Sequence, residues 1–243
     1  MPTPDLPSSI DTEYSEVASL LATEQAAEEL LIHPNGLQDH TALFERYKNE
    51  IMQEFATYKQ RQKNGAAKLA VSLQELIDTQ PELFTDEILE EIAKLTTLEE
   101  RIAKDEAAFK AHIAEAGNLQ ELAGISDSGI NMLYMAAKRL YDKQAFDDAA
   151  DAFFFLTAIN PLFIIFWLGL ANSEFHRKSY KEAITAYEKV VEATPEDPTV
   201  YLALCHAYEA LGDRANALQI VDTALQTCVD KDELEEEKLR LER

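Results

Sequence analysis

The chain has 243 residues, of which 47% are hydrophobic, 45 are acidic and 22 are basic, giving a formal net charge of −23. So negative a protein repels phosphate backbones and anionic lipid heads, which disfavours nucleic acid as a partner. With only seven glycines and eight prolines, its long stretches rich in Ala, Glu, Leu and Lys favour helices over strands, and we expect an all-α fold.

The first 120 residues predict a helical region behind a short disordered start. Residues 1–9 contain three prolines and are expected to be disordered. Apolar residues three or four positions apart then predict helices over residues 10–32, 38–63, 66–79 and 86–115. Asn64-Gly65 is expected to end the second of these helices, because glycine disfavours a helix interior.

The helix predicted over residues 86–115 has apolar residues at near-heptad spacing. They are Ile88, Ile92, Leu95, Ile102, Phe109 and Ile113. Such a seam packs on another helix of the same chain, which we favour, or on a second copy, so that residues 10–120 would support a homodimer. Residues 117–128 are then predicted to be a linker, in which Ser126 or Ser128 caps the following helix.

The C-terminal half repeats itself with a period of 34 residues. Pro161 and Pro195 are 34 positions apart, and so are successive members of the series Ala149, Ala183 and Ala217. This is the period of the tetratricopeptide repeat (TPR), a pair of antiparallel helices. We predict a superhelical array of three repeats, at residues 130–163, 164–197 and 198–231, within a domain that covers residues 126–243.

Two stretches flank or interrupt this array. Residues 232–243 predict a charged capping helix that covers the last repeat with Leu234, Leu239 and Leu241. Residues 152–171 carry no charge and are long enough to cross a membrane. Asn160-Pro161 falls at a turn between repeats and should interrupt a helix there, so we expect no stable membrane insertion.

The first helix of each repeat lines the concave groove of a TPR array. Counting repeat positions 2, 5, 9, 12 and 13 gives the residues that face the groove, which also include Asp142, His176, Thr199, Glu209 and Ala210. The candidate partner-peptide residues among them are Asn131, Tyr134, Lys138, Tyr141, Ile165, Leu168, Asn172, Phe175, Leu202 and His206. Ile165, Leu168 and Phe175 are not needed by the repeat core, and surplus exposed apolar residues usually indicate a partner. Asp142 and Glu209 oppose an anionic ligand, so a neutral, extended, apolar peptide is favoured. The alternative is that the N-terminal helices fold back and fill the groove.

The sequence contains no recognised set of catalytic or metal-binding residues. None of the five histidines lies in an HExxH motif, and there is neither a P-loop nor a GxGxxG motif. Cys205 and Cys228 form no CxxC pair, which indicates a reduced protein without zinc. We therefore predict no enzyme, no cofactor and no metal. The absence of an N-terminal apolar run favours a cytoplasmic location.

Several short blocks in the repeats resemble a known family. They are Phe-Asp-Asp-Ala at 146–149, Phe-Trp-Leu-Gly-Leu at 166–170, Cys-His at 205–206 and Leu-Gly-Asp at 211–213. These blocks are similar to class II chaperones of bacterial type III secretion, the LcrH/SycD type. The resemblance covers about half of the chain, residues 120–230.

The resemblance implies a bacterial cytoplasmic chaperone that keeps hydrophobic translocator subunits soluble before export. It implies that a Pro-x-Leu-x-Pro-like segment lies in the groove and that N-terminal helices allow self-association. It also adds Phe146 to the candidate residues, because Tyr134, Tyr141 and Phe146 match aromatic positions of the family's first repeat. Lys138 departs from the family, which commonly has an apolar residue there. The alternative function is a general TPR scaffold without a secretion role.

Overall fold

The computed structural model describes residues 40–95, 97, 104–105, 111–112 and 118–243, and every regular element among them is a helix. The all-α class is therefore confirmed. The chain divides into two compact units, residues 1–61 and 62–243. The predicted disordered start at residues 1–9 and the predicted helix at residues 10–32 lie outside the described residues.

Ten α-helices are described. Their bounds are α1 His40–Thr79, α2 Asp86–Leu95, α3 Leu119–Ala123, α4 Asp127–Asp142, α5 Phe146–Ile159, α6 Ile164–His176, α7 Tyr180–Ala193, α8 Pro198–Leu211, α9 Arg214–Thr227 and α10 Asp232–Glu242. A short 3-10 turn, Pro81–Leu83, lies between α1 and α2.

Helices α4 to α9 form three consecutive hairpins, each packed against the next. The small residues of the 34-residue series lie at the contacts. Ala149, Ala183 and Ala217 have no exposed surface, and Ala137 and Ala171 from first helices are equally buried. Because small side chains let helix axes approach closely, larger neighbours can interdigitate around them.

Helix α1 continues through Asn64-Gly65, so the predicted helix end at this pair is wrong. The reason is tertiary. A Cβ atom at Gly65 would lie 2.1 Å from the backbone oxygen of Asp151 in α5, a distance at which two such atoms clash. Glycine in a helix interior costs about 1 kcal/mol relative to alanine. Here the missing side chain allows α1 to approach α5 closely.

The part of α1 within the second unit covers the start of the array. Leu69 and Leu73 belong to the same buried core as the first two repeats. The buried Ser72 hydroxyl donates a hydrogen bond of 2.8 Å to the backbone oxygen of Ala136. The Glu75 carboxylate pairs with Arg139 of α4 at 3.4 Å.

Residues 117–128, predicted as a linker, contain helix α3 and contribute to the core. The Asn118 side chain accepts a hydrogen bond from the Glu121 backbone at the start of α3, and Gly124, with φ of 69°, ends it. Ala123 and Ile125 are buried. This short segment is ordered because it packs against the first repeat, which local composition does not reveal.

Ser126 is the N-cap of α4, as predicted. Its hydroxyl oxygen accepts a hydrogen bond from the Gly129 N–H. The Glu91 carboxylate of α2 in turn accepts hydrogen bonds from the Ser126 hydroxyl at 2.6 Å and backbone N–H at 3.0 Å. These bonds hold the pKa of Glu91 below its usual value. The cap therefore also fastens α2 to the array.

The described part of the near-heptad seam faces this chain's own core. Ile88, Ile92 and Leu95 of α2 pack against the buried cluster of the first two repeats. This favours the intramolecular arrangement for these three residues. Ile102, Phe109 and Ile113 lie outside the described residues.

Helix α10 closes the end of the array. Leu234 and Leu241 are at most 1% exposed and share a buried cluster with residues of α8 and α9. Leu239 is 57% exposed, so its predicted role in the cap is wrong. At 100° per residue it lies roughly 140° around the helix from Leu234, whereas Leu241, two turns on, returns to the buried side.

The uncharged stretch at residues 152–171 is divided between two helices. Helix α5 ends at Ile159 and α6 begins at Ile164. The Asn160 amide between them donates a hydrogen bond to the Gln120 side-chain oxygen at 2.7 Å. Among the residues with described placement, none of the helices has the length and apolar character needed to cross a bilayer.

Candidate peptide-binding face

The predicted site residues lie on the first helices of the three hairpins, except Phe146, which begins α5. We call this set the first-helix face. The structure leaves Asn131, Lys138, Ile165 and His206 exposed. It leaves the others half-buried: Tyr134, Tyr141, Phe146, Leu168, Asn172, Phe175 and Leu202. No member of the set is lost to the core, so all of them offer some surface to solvent.

An aromatic cluster joins the first and second repeats on this face. The Phe146 ring stacks on the His176 ring with centroids 4.6 Å apart, and Tyr141 meets both rings edge-on at 5.4 and 5.7 Å. Phe175 approaches His176 at 5.9 Å. Burial, and then the nearby Asp142 carboxylate, raise the pKa of Tyr141. The Tyr141 hydroxyl is therefore uncharged at neutral pH.

Tyr134 has a different role from the other predicted aromatic residues. Its ring lies 6.2 Å from Phe153 and 6.3 Å from Phe166, measured between centroids, and both partners are buried. Contacts of this kind contribute to core packing. Replacing Tyr134 would therefore disturb the fold together with any binding surface.

Leu168 and Phe175 also share in packing, which the sequence did not predict. Both are half-buried against the main hydrophobic cluster. Ile165 is the predicted apolar residue that remains most exposed, at 42%. Among the predicted apolar residues it therefore gives the cleanest probe of the face.

Leu162, which was missed, lies three residues before Ile165 and is 73% exposed. The turn that presents it is fixed by two hydrogen bonds: the Leu162 N–H donates to the Asn160 side chain, and the Trp167 indole N–H donates to the Pro161 oxygen. A signal was present in the sequence, since an apolar residue directly after Asn-Pro is unusual in a turn.

Three polar residues of the face each have an internal partner. The Lys138 ammonium group lies 2.6 Å from an Asp142 carboxylate oxygen. The Asn172 side-chain oxygen accepts a 2.6 Å hydrogen bond from the hydroxyl of Tyr187, whose pKa is raised by burial. Because this bond occupies the oxygen, it orients the Asn172 amide as a donor.

His206, the third polar residue of the face with an internal partner, contacts the C-terminal helix α10. Its Nε2 atom lies 3.2 Å from a Glu237 oxygen. The Arg240 Nε–H donates to Glu237 at 2.8 Å, and the same guanidinium pairs with Glu209 of α8. The hydrogen bond from Arg240 is the main cause that holds the pKa of Glu237 below its usual value. Neither Glu237 nor Arg240 was predicted, although Arg240 follows His206 by one repeat period.

Cys205, Glu209 and Glu237 place three potential metal-ligand atoms within 4.8 Å of one another. A thiol must lose its proton to bind a metal, and burial raises the pKa of Cys205 to about 12. Both carboxylates are already paired with Arg240. The arrangement fits an ion-pair network better than a metal site.

The described contacts of α1 lie away from the first-helix face. Within the second unit, α1 forms hydrogen bonds or ion pairs with Ala136 and Arg139 of α4, with Lys143 directly after α4, and with Asp148 of α5. None of these is a predicted site residue. These polar contacts place this part of α1 at the start of the array.

Two family models described as tetratricopeptide repeat match the chain, over residues 134–198 and 174–230. The hairpins α4 to α9 span the same region, so the predicted TPR array is confirmed. No curated protein matches the sequence.

Three solved structures are similar to the repeat region. The "Yersinia enterocolitica Type III Secretion Translocator Chaperone SycD" is 23% identical, with a TM-score of 0.44, over 52% of this chain and 94% of that one. A "T3SS complex from Aeromonas hydrophila" is 22% identical, with a TM-score of 0.49, over 56% of this chain and 91% of that one. A "CopN-Scc3 complex" is 20% identical, with a TM-score of 0.46, over 51% of this chain and 73% of that one. The fold assignment rests on the repeat models and the hairpins.

Proposed function

We propose that the chain is a cytoplasmic bacterial chaperone that holds hydrophobic translocator proteins of type III secretion through an extended segment bound to the first-helix face. The observation that carries the proposal is the apolar strip along α6 and the turn before it, where Leu162 and Ile165 are exposed and Leu168 and Phe175 are half-buried. Apolar surface beyond the needs of packing is typical of a protein-binding site.

The available apolar surface supports weak, reversible holding. Three apolar anchors at roughly 2 kcal/mol each would contribute a gross gain of about 6 kcal/mol. Ordering an extended segment consumes part of that gain. A client that must be released for export is compatible with such an affinity, and tighter holding would need a second surface outside the repeats.

The charge on the chain favours a neutral client segment. The formal net charge is −23. Asp142 pairs with Lys138, and Glu209 pairs with Arg240, so both of these cations are neutralised. An anionic segment would be repelled, whereas a hydrophobic segment would carry no such penalty. The same surface charge would keep the complex of chaperone and client dispersed.

Co-expression with a membrane-inserting type III translocator tests the proposal, with the amount of translocator in the clarified lysate as readout. Ile165→Asp places a charge on the strip, near the start of α6, where a carboxylate is compatible with a helix. Val71→Asp is the matched control, because Val71 is 62% exposed on α1, away from the face. We expect Ile165→Asp to abolish solubilisation and Val71→Asp to preserve it. Equal yields for the two variants would contradict the proposal.

A general scaffold joining two hydrophilic proteins is the second candidate function. It is favoured by the polar members of the face, Asn131, Lys138 and His206, which are exposed. Mass spectrometry of proteins captured on the wild-type chain separates the two functions. Hydrophilic partners alone, captured equally by Ile165→Asp, would support the scaffold.

Self-association through residues 10–120 is a separate proposal. The resemblance to secretion chaperones supports it, and the seam residues Ile102, Phe109 and Ile113 fall within this region of the sequence. Sedimentation equilibrium of the full chain gives the mass directly. A mass of 27.3 kDa at micromolar concentration would exclude a stable dimer.

A further inference from the structure

The C-terminal helix continues the periodicity of the first helices. Lys138, Asn172 and His206 occupy the same position in the three repeats, 34 residues apart, and Arg240 in α10 follows at the same interval. All four side chains can donate hydrogen bonds. A capping helix that served only to cover leucines would have no need to keep this pattern.

The contacts of Arg240 place it beside the first-helix face. Its guanidinium pairs with Glu209 of α8 and, through Glu237, is connected to His206. The Arg240 side chain is 52% exposed. The two buried leucines of α10 face the core, and Lys238 reaches Asp222 of α9 at 2.7 Å. Helix α10 therefore has one side on the core and another continuous with the face.

We propose that Arg240 binds the client: α10 adds a fourth row to the first-helix face, and Lys138, Asn172 and Arg240 donate hydrogen bonds to backbone carbonyl groups of an extended client segment. This inference rests on the proposed function, since it concerns the same client. It changes α10 from a cap into a part of the site.

The donors retain capacity for this role. The hydrogen bonds of Arg240 within the described residues use Nε and Nη2, which leaves the N–H groups of Nη1. Lys138 uses one of its three N–H donors in the hydrogen bond to Asp142. Asn172 is oriented by Tyr187 so that its NH2 group remains as donor. The paired carboxylates make a neutral carbonyl a better acceptor here than a client carboxylate.

The spacing of the rows suits an extended chain. Packed helices lie about 8–10 Å apart, and an extended peptide advances about 3.3 Å per residue. One donor would then meet every third residue of the client. Four rows would span about ten residues.

The test uses fluorescence anisotropy with a fluorescein-labelled ten-residue peptide that contains a Pro-x-Leu-x-Pro segment. Arg240→Ala is compared with Lys238→Ala, since each removes one cation that fastens α10 to the array. We expect Arg240→Ala to weaken binding about five- to tenfold, as for the loss of one or more hydrogen bonds, and Lys238→Ala to change it less than about twofold. Arg240→Gln keeps a neutral donor and should recover part of the loss.

The outcomes separate this inference from the proposed function. If the wild type binds, Ile165→Asp does not, and Arg240→Ala equals Lys238→Ala, then α10 is only a cap and this inference is overturned alone. If the wild type fails to bind, or Ile165→Asp binds equally well, the proposed function and the inference fall together. Thermal melting followed by circular dichroism is the control for Arg240→Ala and Lys238→Ala. The two variants should lose similar stability, so that a larger loss of affinity in Arg240→Ala reflects a lost contact with the peptide.

Discussion

The two ends of the repeat array are covered by helices in different ways. At the start, α1 buries Leu69 and Leu73 and makes its polar contacts away from the first-helix face. At the end, α10 buries Leu234 and Leu241 and pairs with His206 and Glu209, which lie on or beside that face. Both helices solve the same problem, because a terminal repeat has an open apolar side. The difference shows that a cap can be separate from a binding surface or continuous with it.

The chemistry of the two caps differs as well. The α1 cap combines the close approach at Gly65 and the buried hydroxyl of Ser72 with ion pairs of Lys68 and Glu75. The α10 cap depends on a network of His206, Glu209, Glu237 and Arg240, in which the hydrogen bond from Arg240 lowers the pKa of Glu237. We therefore expect the two ends to respond differently to substitution.

The largest expected effect is at the core of the α10 cap. Leu234 has no exposed surface, so Leu234→Ala should lower the free energy of unfolding by about 2–5 kcal/mol through lost burial and a cavity. Urea denaturation followed by circular dichroism measures this. Leu239→Ala, at a 57% exposed position, should stay within about 0.5 kcal/mol. Equal effects would mean that α10 does not pack as described.

A smaller effect is expected at the α1 cap. Gly65→Ala should lower the free energy of unfolding by about 1–3 kcal/mol because the new methyl group meets Asp151. Helix propensity alone predicts the opposite, a gain of about 1 kcal/mol. Ala67→Gly, at an exposed position on the same helix, isolates the propensity contribution. A stabilised Gly65→Ala protein would show that α1 does not approach α5 closely.

The smallest effect is the response of the α10 cap to pH. The pKa of Glu237 lies below its usual value of 4.5 in the folded chain, so its stabilisation is complete above pH 4.5 and is lost as pH falls through the lowered pKa. Because Arg240 is half exposed, we expect only about 0.5–1 kcal/mol. Glu237→Gln should be less stable than the wild type by that amount at pH 7, and the gap should close as the pH falls through the lowered pKa of Glu237. A gap that does not depend on pH would contradict the ion-pair account.

The sequence predicted best what depends on period and local chemistry. The 34-residue spacing of Ala149, Ala183 and Ala217 predicted three hairpins because helix contacts need small residues at fixed intervals. Ser126 or Ser128 was predicted as a cap, and Ser126 is the cap, because a cap bonds within its own turn. The error about Leu239 was avoidable, since helical geometry alone places it away from Leu234 and Leu241.

Contacts between distant segments could not be predicted in the same way. Gly65 indicated a helix end by composition, and only the approach of Asp151 explains why the helix continues there. Arg240 and Glu209 are 31 positions apart, and their pairing depends on how α10 docks. The half-burial of Leu168 and Phe175 likewise depends on neighbours from other helices.

Site-specific photo-crosslinking tests the central claim, that a client segment lies on the first-helix face, most directly. p-Benzoyl-phenylalanine is placed at Ile165 in one variant and at Val71 in another, and each is irradiated with the labelled Pro-x-Leu-x-Pro peptide. The account predicts a covalent adduct at position 165 that unlabelled peptide competes away, and none at position 71. An adduct at position 71 alone, or no adduct at either position under conditions where the peptide binds, would contradict it.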